Sequence, residues 1–227
     1  MFEGFDFSKM VVMIVPLLFA VTIHEVAHGW VAFRLGDPTA KWSGRLTLNP
    51  IKHLDPMGSI ILPLMLFLLK SPVIFGYARP VPVSFQYLRH YRRDTILVSS
   101  AGVAANLVCA LVCGFLFQCF CQLKPLWNSG LWVGLFGMVG YSVLINCVLA
   151  VFNLIPIPPL DGGRILSMLV PARFAHALQR MERFGMVLLF FLLFTGALNS
   201  VVSLVLNPAL RLFLGGEGLA MFFRYVV

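Results

Sequence analysis

The sequence predicts an all-α polytopic membrane protein with about four transmembrane helices, a short re-entrant helix and a small β-hairpin after the first span. Three observations lead there. Hydrophobic residues make up 59% of the 227 residues and charged ones 11%, with a mean hydropathy of +0.90; soluble domains carry about 25% charged residues. Apolar runs long enough to cross a ~30 Å hydrocarbon core recur at about 9–34, 95–121, 131–153 and 184–206. Of the 17 lysines and arginines, 13 fall in the segments 34–56, 70–93 and 154–183, the asymmetry expected of cytosolic loops. The net charge of +8 therefore sets orientation and does not signal a nucleic-acid partner. It places the N-terminus outside and the basic loops in the cytosol, with the plasma membrane as the expected location.

Each element follows from local chemistry. The first span comes after Glu3 and Asp6, not after a basic n-region, so it reads as a membrane helix and not as a signal peptide. Gly36-Asp37-Pro38 breaks it. Lys41–Leu48 has strand character, with a turn at Ser43-Gly44 and a stop at Pro50, hence the expected hairpin. Residues 57–69 are apolar, but as a helix they reach only about 20 Å, so they are expected to be re-entrant. Were they to cross, Arg79, Arg89, Arg92 and Arg93 would face away from Lys41, Arg45 and Lys52, and the charge asymmetry would vanish. Pro72, Pro80 and Pro82 forbid a long helix over 70–92. The spans 95–121 and 131–153 flank a short loop at 122–130. Pro156-Ile157-Pro158-Pro159 ends the third span, and a short amphipathic helix follows from Asp161 to about Pro171.

No stretch is polar and long enough to make a second soluble domain. The expectation is one membrane-embedded domain over 1–227, with its motifs within 20–170 and a C-terminal helix and tail at 184–227. Cys109, Cys113, Cys119, Cys121 and Cys147 lie in or beside apolar segments without a CxxC pair, and read as small buried hydrophobes. Trp30, Trp42, Trp127 and Trp132 fall near the expected interfaces. His53, His90 and His176 lie in basic loops and are expected to be solvated.

The first span carries chemistry. Residues 24–28 read His24-Glu25-Val26-Ala27-His28, an HExxH zinc signature. Imidazoles four residues apart lie about 40° from each other around a helix, so one metal can take both. Glu25 projects to the side, out of easy ligating reach but able to take a proton from a metal-activated water. A carboxylate in such a span costs about 3 kcal/mol or more, which makes it a functional residue by default. The plain alternative is a pair of buried histidines hydrogen-bonding inside a bundle. Counted from Lys9, His24 and His28 lie about 22 and 28 Å along the helix, near the cytosolic boundary.

A catalytic zinc takes three protein ligands and keeps one open position. Acidic residues are few. Glu3 and Asp6 lie at the far end of the first span. Asp37 and Asp55 flank the turn-rich loop, and Asp94 starts a span among arginines. Glu182 sits between Arg180 and Arg183, and Glu217 lies in a glycine-rich tail. Asp161 remains, at the cytosolic end of the third span. From spacing alone it either completes the ligand set or caps the following helix.

The HExxH segment is followed by Asn153-Leu154-Ile155-Pro156-Ile157-Pro158-Pro159-Leu160-Asp161-Gly162, an N-x-x-P-x-x-P-x-D-G pattern. Together they resemble the site-2 protease family of zinc intramembrane metalloproteases, in a minimal form without a PDZ domain. Gly102-Val103-Ala104-Ala105-Asn106 is similar to that family's G-P-x-A-N stretch, with Val103 where proline is usual. The resemblance covers about residues 20–170. It implies one Zn2+ per chain held by His24, His28 and Asp161, with Glu25 as the catalytic acid and base. It implies that Asn153 holds substrate or stabilises the oxyanion, a role otherwise open to a helix C-cap or an interhelical hydrogen bond. Asn106 reads equally as polar glue between helices. The implied substrates are single-span proteins in the lipid bilayer, cut in or near their transmembrane segments with water drawn from the cytosol. An exposed edge at Lys41–Leu48 would pair with the unwound substrate. The rival is a zinc-binding membrane carrier or scaffold without proteolysis; Glu25 argues against it, since a carrier needs no general base there.

Overall fold

The computed structural model describes residues 7–69, 71, 76–122 and 130–225. Glu3, Asp6, Pro72, Trp127 and most of the expected loop at 122–130, with Lys124, lie outside these residues. Nine α-helices are found among them. They are α1 (Phe7–Arg34), α2 (Thr39–Trp42), α3 (Leu62–Leu68), α4 (Tyr91–Gln122), α5 (Gly130–Asn153), α6 (Asp161–Leu169), α7 (Ala172–Phe194), α8 (Ala197–Leu214) and α9 (Gly216–Tyr225).

Three helices are long and apolar enough to cross a membrane: Met10–Arg34, Tyr91–Gln122 and Gly130–Asn153, of 25, 32 and 24 residues. At 1.5 Å per residue each exceeds a ~30 Å core. α1, α4 and α5 pack against one another. At one end α4 and α5 meet α8 and α9 around Phe117, whose ring stacks on Phe136 with centroids 4.4 Å apart, and Phe222 closes the cluster. At the other end α1 stops, α4 begins and α5 breaks into α6, so residues 35–56, 77–90 and 154–171 gather on one face. Arg89 N–H donates to the Leu35 carbonyl at 3.3 Å across that face.

The excursion at 57–69 begins with a wide turn over Pro56–Ile61, capped by Asp55 on the Gly58 N–H, and continues as α3. Its two ends meet. Arg79 N–H donates to the His53 carbonyl at 2.9 Å, and Tyr77 N–H to that of Gly58 at 3.1 Å. Lys52 and Arg79 are therefore on the same side.

Three expectations need correction. The hairpin at 41–48 does not form, and no strand is found among the described residues. Ser43-Gly44 does turn, but as the end of α2, with Gly44 N–H on the Lys41 carbonyl and Arg45 N–H on that of Ala40. Residues 45–49 then take no regular secondary structure. Opposite them stand Pro80 and Pro82, which have no N–H for a ladder; Arg45 Nη2 bridges instead to the carbonyls of Arg79 and Pro80 at 2.6 and 3.3 Å. The fourth span at 184–206 is not one helix. α7 starts earlier, at Ala172, and ends at Phe194, capped by Thr195, whose hydroxyl donates to the Phe191 carbonyl at 2.9 Å. Gly196 then takes φ +71°, a left-handed conformation that stops a helix, before α8. His53 is buried at 2% exposure, its Nε2 2.8 Å from the Thr47 carbonyl, because it closes the base of the excursion.

Candidate metal centre

His24 and His28 sit one turn apart on α1, their rings edge-on with centroids 4.6 Å apart. Their neighbours fix which nitrogen carries each proton. His28 Nδ1 lies 2.7 Å from the Val98 carbonyl oxygen, which only accepts, so Nδ1 is the donor. His24 Nδ1 faces Asn106 Oδ1 on α4. That amide cannot be turned over. Its Nδ2 donates to the Ala20 carbonyl at 3.2 Å and to Asn146 Oδ1 on α5 at 2.7 Å, and Asn146 Nδ2 donates to the Ser142 carbonyl at 2.8 Å. His24 Nδ1 is thus also a donor.

In its neutral form each imidazole then aims an Nε2 lone pair at the same point. The two Nε2 atoms are 3.0 Å apart, and Asp161 Oδ2 lies 3.2 Å from each. Asp161 is the first residue of α6, where Leu160 holds the N-cap position and no side chain caps the helix. Its carboxylate faces the imidazoles and makes no cap to the helix. Oδ2 is buried without a hydrogen-bond partner among the described residues. Three acceptors converging this closely repel unless a cation lies between them. Around a tetrahedral ion with bonds of about 2.0–2.1 Å, ligand atoms sit about 3.3 Å apart. The triangle of 3.0–3.2 Å fits one metal ion.

The close approach of α4 makes this possible. A Cβ on Gly102 would lie 2.5 Å from His28 Nε2 and 2.6 Å from His24 Cε1, so only glycine leaves room for both rings.

Glu25 stands outside the triangle. Its Oε2 accepts from the Val81 N–H at 2.8 Å, and Oε1 has no hydrogen-bond partner among the described residues. Residues 80–83 cross the front of the site and, with Ser99, Asn153 and Arg164, wall a cavity of about 370 Å³ that contains His24, Glu25, His28 and Asp161. Asn153 spends one N–H on the Leu149 carbonyl of its own helix at 3.0 Å, leaving a second donor on the cavity wall. The sequence reading passed over Asn146 and Val81. Asn146 carried a usable signal, a polar amide inside an apolar span; a backbone N–H carries none.

The family model for peptidase family M50 matches residues 121–196, the stretch that holds Asn153 and Asp161. The chain is 38% identical over 201 residues to a Bacillus subtilis protein named "Putative zinc metalloprotease YwhC", covering 88% of both chains. The chain belongs to peptidase family M50. That is the site-2 protease family its motifs resemble. Among the M50 relatives, the protein named "Putative zinc metalloprotease Rip2" of Mycolicibacterium smegmatis is 32% identical over 192 residues, which are 83% of this chain and 69% of that one. Its namesake in Mycobacterium tuberculosis strain H37Rv is 31% identical over 189 residues, with the same coverage. No solved structure matches the chain.

Proposed function

We propose that this M50 protein is a zinc-dependent intramembrane endopeptidase, hydrolysing peptide bonds in or near the transmembrane segments of single-span membrane proteins. One observation carries the reading: His24, His28 and Asp161 converge on one point, with Glu25 beside them, at the end of three membrane-length helices. His24, His28 and Asp161 would hold the zinc, which would supply Lewis acidity toward the attacking water and the scissile carbonyl. Glu25 takes the proton of the attacking water on its free oxygen and passes it to the departing amine. The Val81 N–H keeps the other oxygen in place. Asn153 offers its remaining N–H to the carbonyl oxygen as negative charge builds there. A helical substrate must unwind to enter, since its peptide bonds are shielded.

The whole chain serves as one domain, in the plasma membrane. The basic residues of 34–93 and 154–183 support a cytosolic position for the face that holds the site. The meeting of His53 with Arg79 supports a re-entrant 57–69. The test is metal analysis of the purified protein together with cleavage of a candidate single-span substrate by wild type and Glu25→Gln. Zinc in both and cleavage by wild type alone is the expected result. Bound zinc with an intact substrate throughout would favour a carrier or scaffold.

A further inference from the structure

A second cavity, of about 560 Å³, lies beside the first and shares Pro80 and Pro82 with it. It is lined by Arg45, Lys52 and Arg79 and by no acidic residue. Arg45 is only 8% exposed, and its Nε is buried without a hydrogen-bond partner among the described residues. Lys52 and Arg79 are exposed and form no ion pair among these residues. Asp37 is committed to the N–H groups of Thr39 and Ser84 and Asp55 to that of Gly58, which leaves Glu25, held by the Val81 N–H, as the acid whose charge reaches Arg45. Burial, and then the Arg79 charge, pull the Arg45 guanidinium below its ordinary value, while Glu25 pulls the other way. Three cations are thus gathered with a deficit of negative charge.

The segment that supplies two of these cations also exposes apolar side chains. Trp42, Leu48 and Ile51 are 75%, 60% and 73% exposed, on the segment that carries Arg45 and Lys52 and follows the end of a membrane-length helix. Exposed tryptophan and aliphatic residues on the segment that carries a basic pocket are the signature of a headgroup-level surface. We infer that Arg45, Lys52 and Arg79 form a binding site for the phosphate of an anionic phospholipid. The headgroup would lie on the cationic side chains, beside residues 79 and 80 whose carbonyls Arg45 holds and next to the residue whose N–H meets Glu25. The lipid would therefore brace the wall of the metal cavity.

The test uses the full chain in a neutral detergent, titrated with phosphatidylglycerol or phosphatidylcholine of matched acyl chains, bound lipid being counted by native mass spectrometry. Inorganic phosphate forms a third arm. The expected result is one phosphatidylglycerol held at least tenfold more tightly than phosphatidylcholine. Lys52→Gln with Arg79→Gln, both at exposed positions, should abolish that preference, whereas Arg173→Gln with Arg180→Gln should keep it. Equal binding of the two lipids, or an unchanged preference in the Lys52 and Arg79 variant, overturns the site. Saturation by inorganic phosphate without phosphatidylglycerol binding overturns the lipid as its source.

Discussion

Glu25 and the paired asparagines divide two tasks that a kinetic experiment can separate. In Glu25→Gln the amide oxygen still accepts from the Val81 N–H, so the local geometry survives, but no proton can be taken. Metal content should stay at one per chain while cleavage falls by about 10²–10⁴-fold, the usual worth of a positioned general base. A Gln variant that still cuts would remove Glu25 from the chemistry. His28→Ala should lose metal and cleavage together. Asn106 acts one step back, by accepting the His24 Nδ1 proton while Asn146 keeps its amide the right way round. Asn106→Leu deletes that acceptor, and metal affinity should drop by about 10–100-fold, as for other groups behind a ligand. Competition with a chromophoric chelator measures it, and an unchanged affinity would reduce the asparagine pair to helix glue.

Among the elements, α4 is the one whose position sets the site. Gly102 lets it come within 2.5–2.7 Å, measured from an added Cβ, of both imidazoles. Alanine is the better helix former by about 1 kcal/mol, so Gly102→Ala should leave helix content and the melting transition in place. Its methyl would nevertheless displace the two rings, and metal binding should weaken at least tenfold. Equal metal affinity in the alanine variant would mean that α4 can shift outward at little cost. The three long spans were legible because a 20-residue apolar run has one economical use. The hairpin was not: Lys41–Leu48 shows its own strand tendency but not that prolines 80 and 82 face it. Nor was the division of the fourth span, because Gly196 in an apolar run is tolerated inside a membrane helix until neighbouring packing selects a positive φ.

For the whole molecule, orientation and depth are the testable quantities. In a background with the native cysteines replaced, cysteines placed at Lys52 and Arg89 should label from the same side of the membrane. Opposite labelling would mean that 57–69 crosses, and it would separate Asp161 from His24 and His28. Cleavage should fall in the cytosolic part of a substrate's span, as mapped by mass spectrometry of the products; a cut at the outer end would contradict the charge asymmetry. Removing metal with a chelator should abolish cleavage and lower the melting temperature. A ligand at 100 times its Kd stabilises the folded state by about 2.7 kcal/mol.

By itself the sequence determined the membrane class, the helix that carries His24, Glu25 and His28, and Asp161 as the acid that could join them. Those follow from periodicity, hydropathy and a short motif, all of which are local in the chain. Tertiary structure alone decided that Asp161 faces the histidines and does not cap α6, that Asn106 and Asn146 fix the His24 tautomer, and that residues 80–83 wall the cavity. Each of these depends on contacts between residues 40 to 137 positions apart, and no local pattern encodes which distant backbone or side chain will stand opposite a given atom.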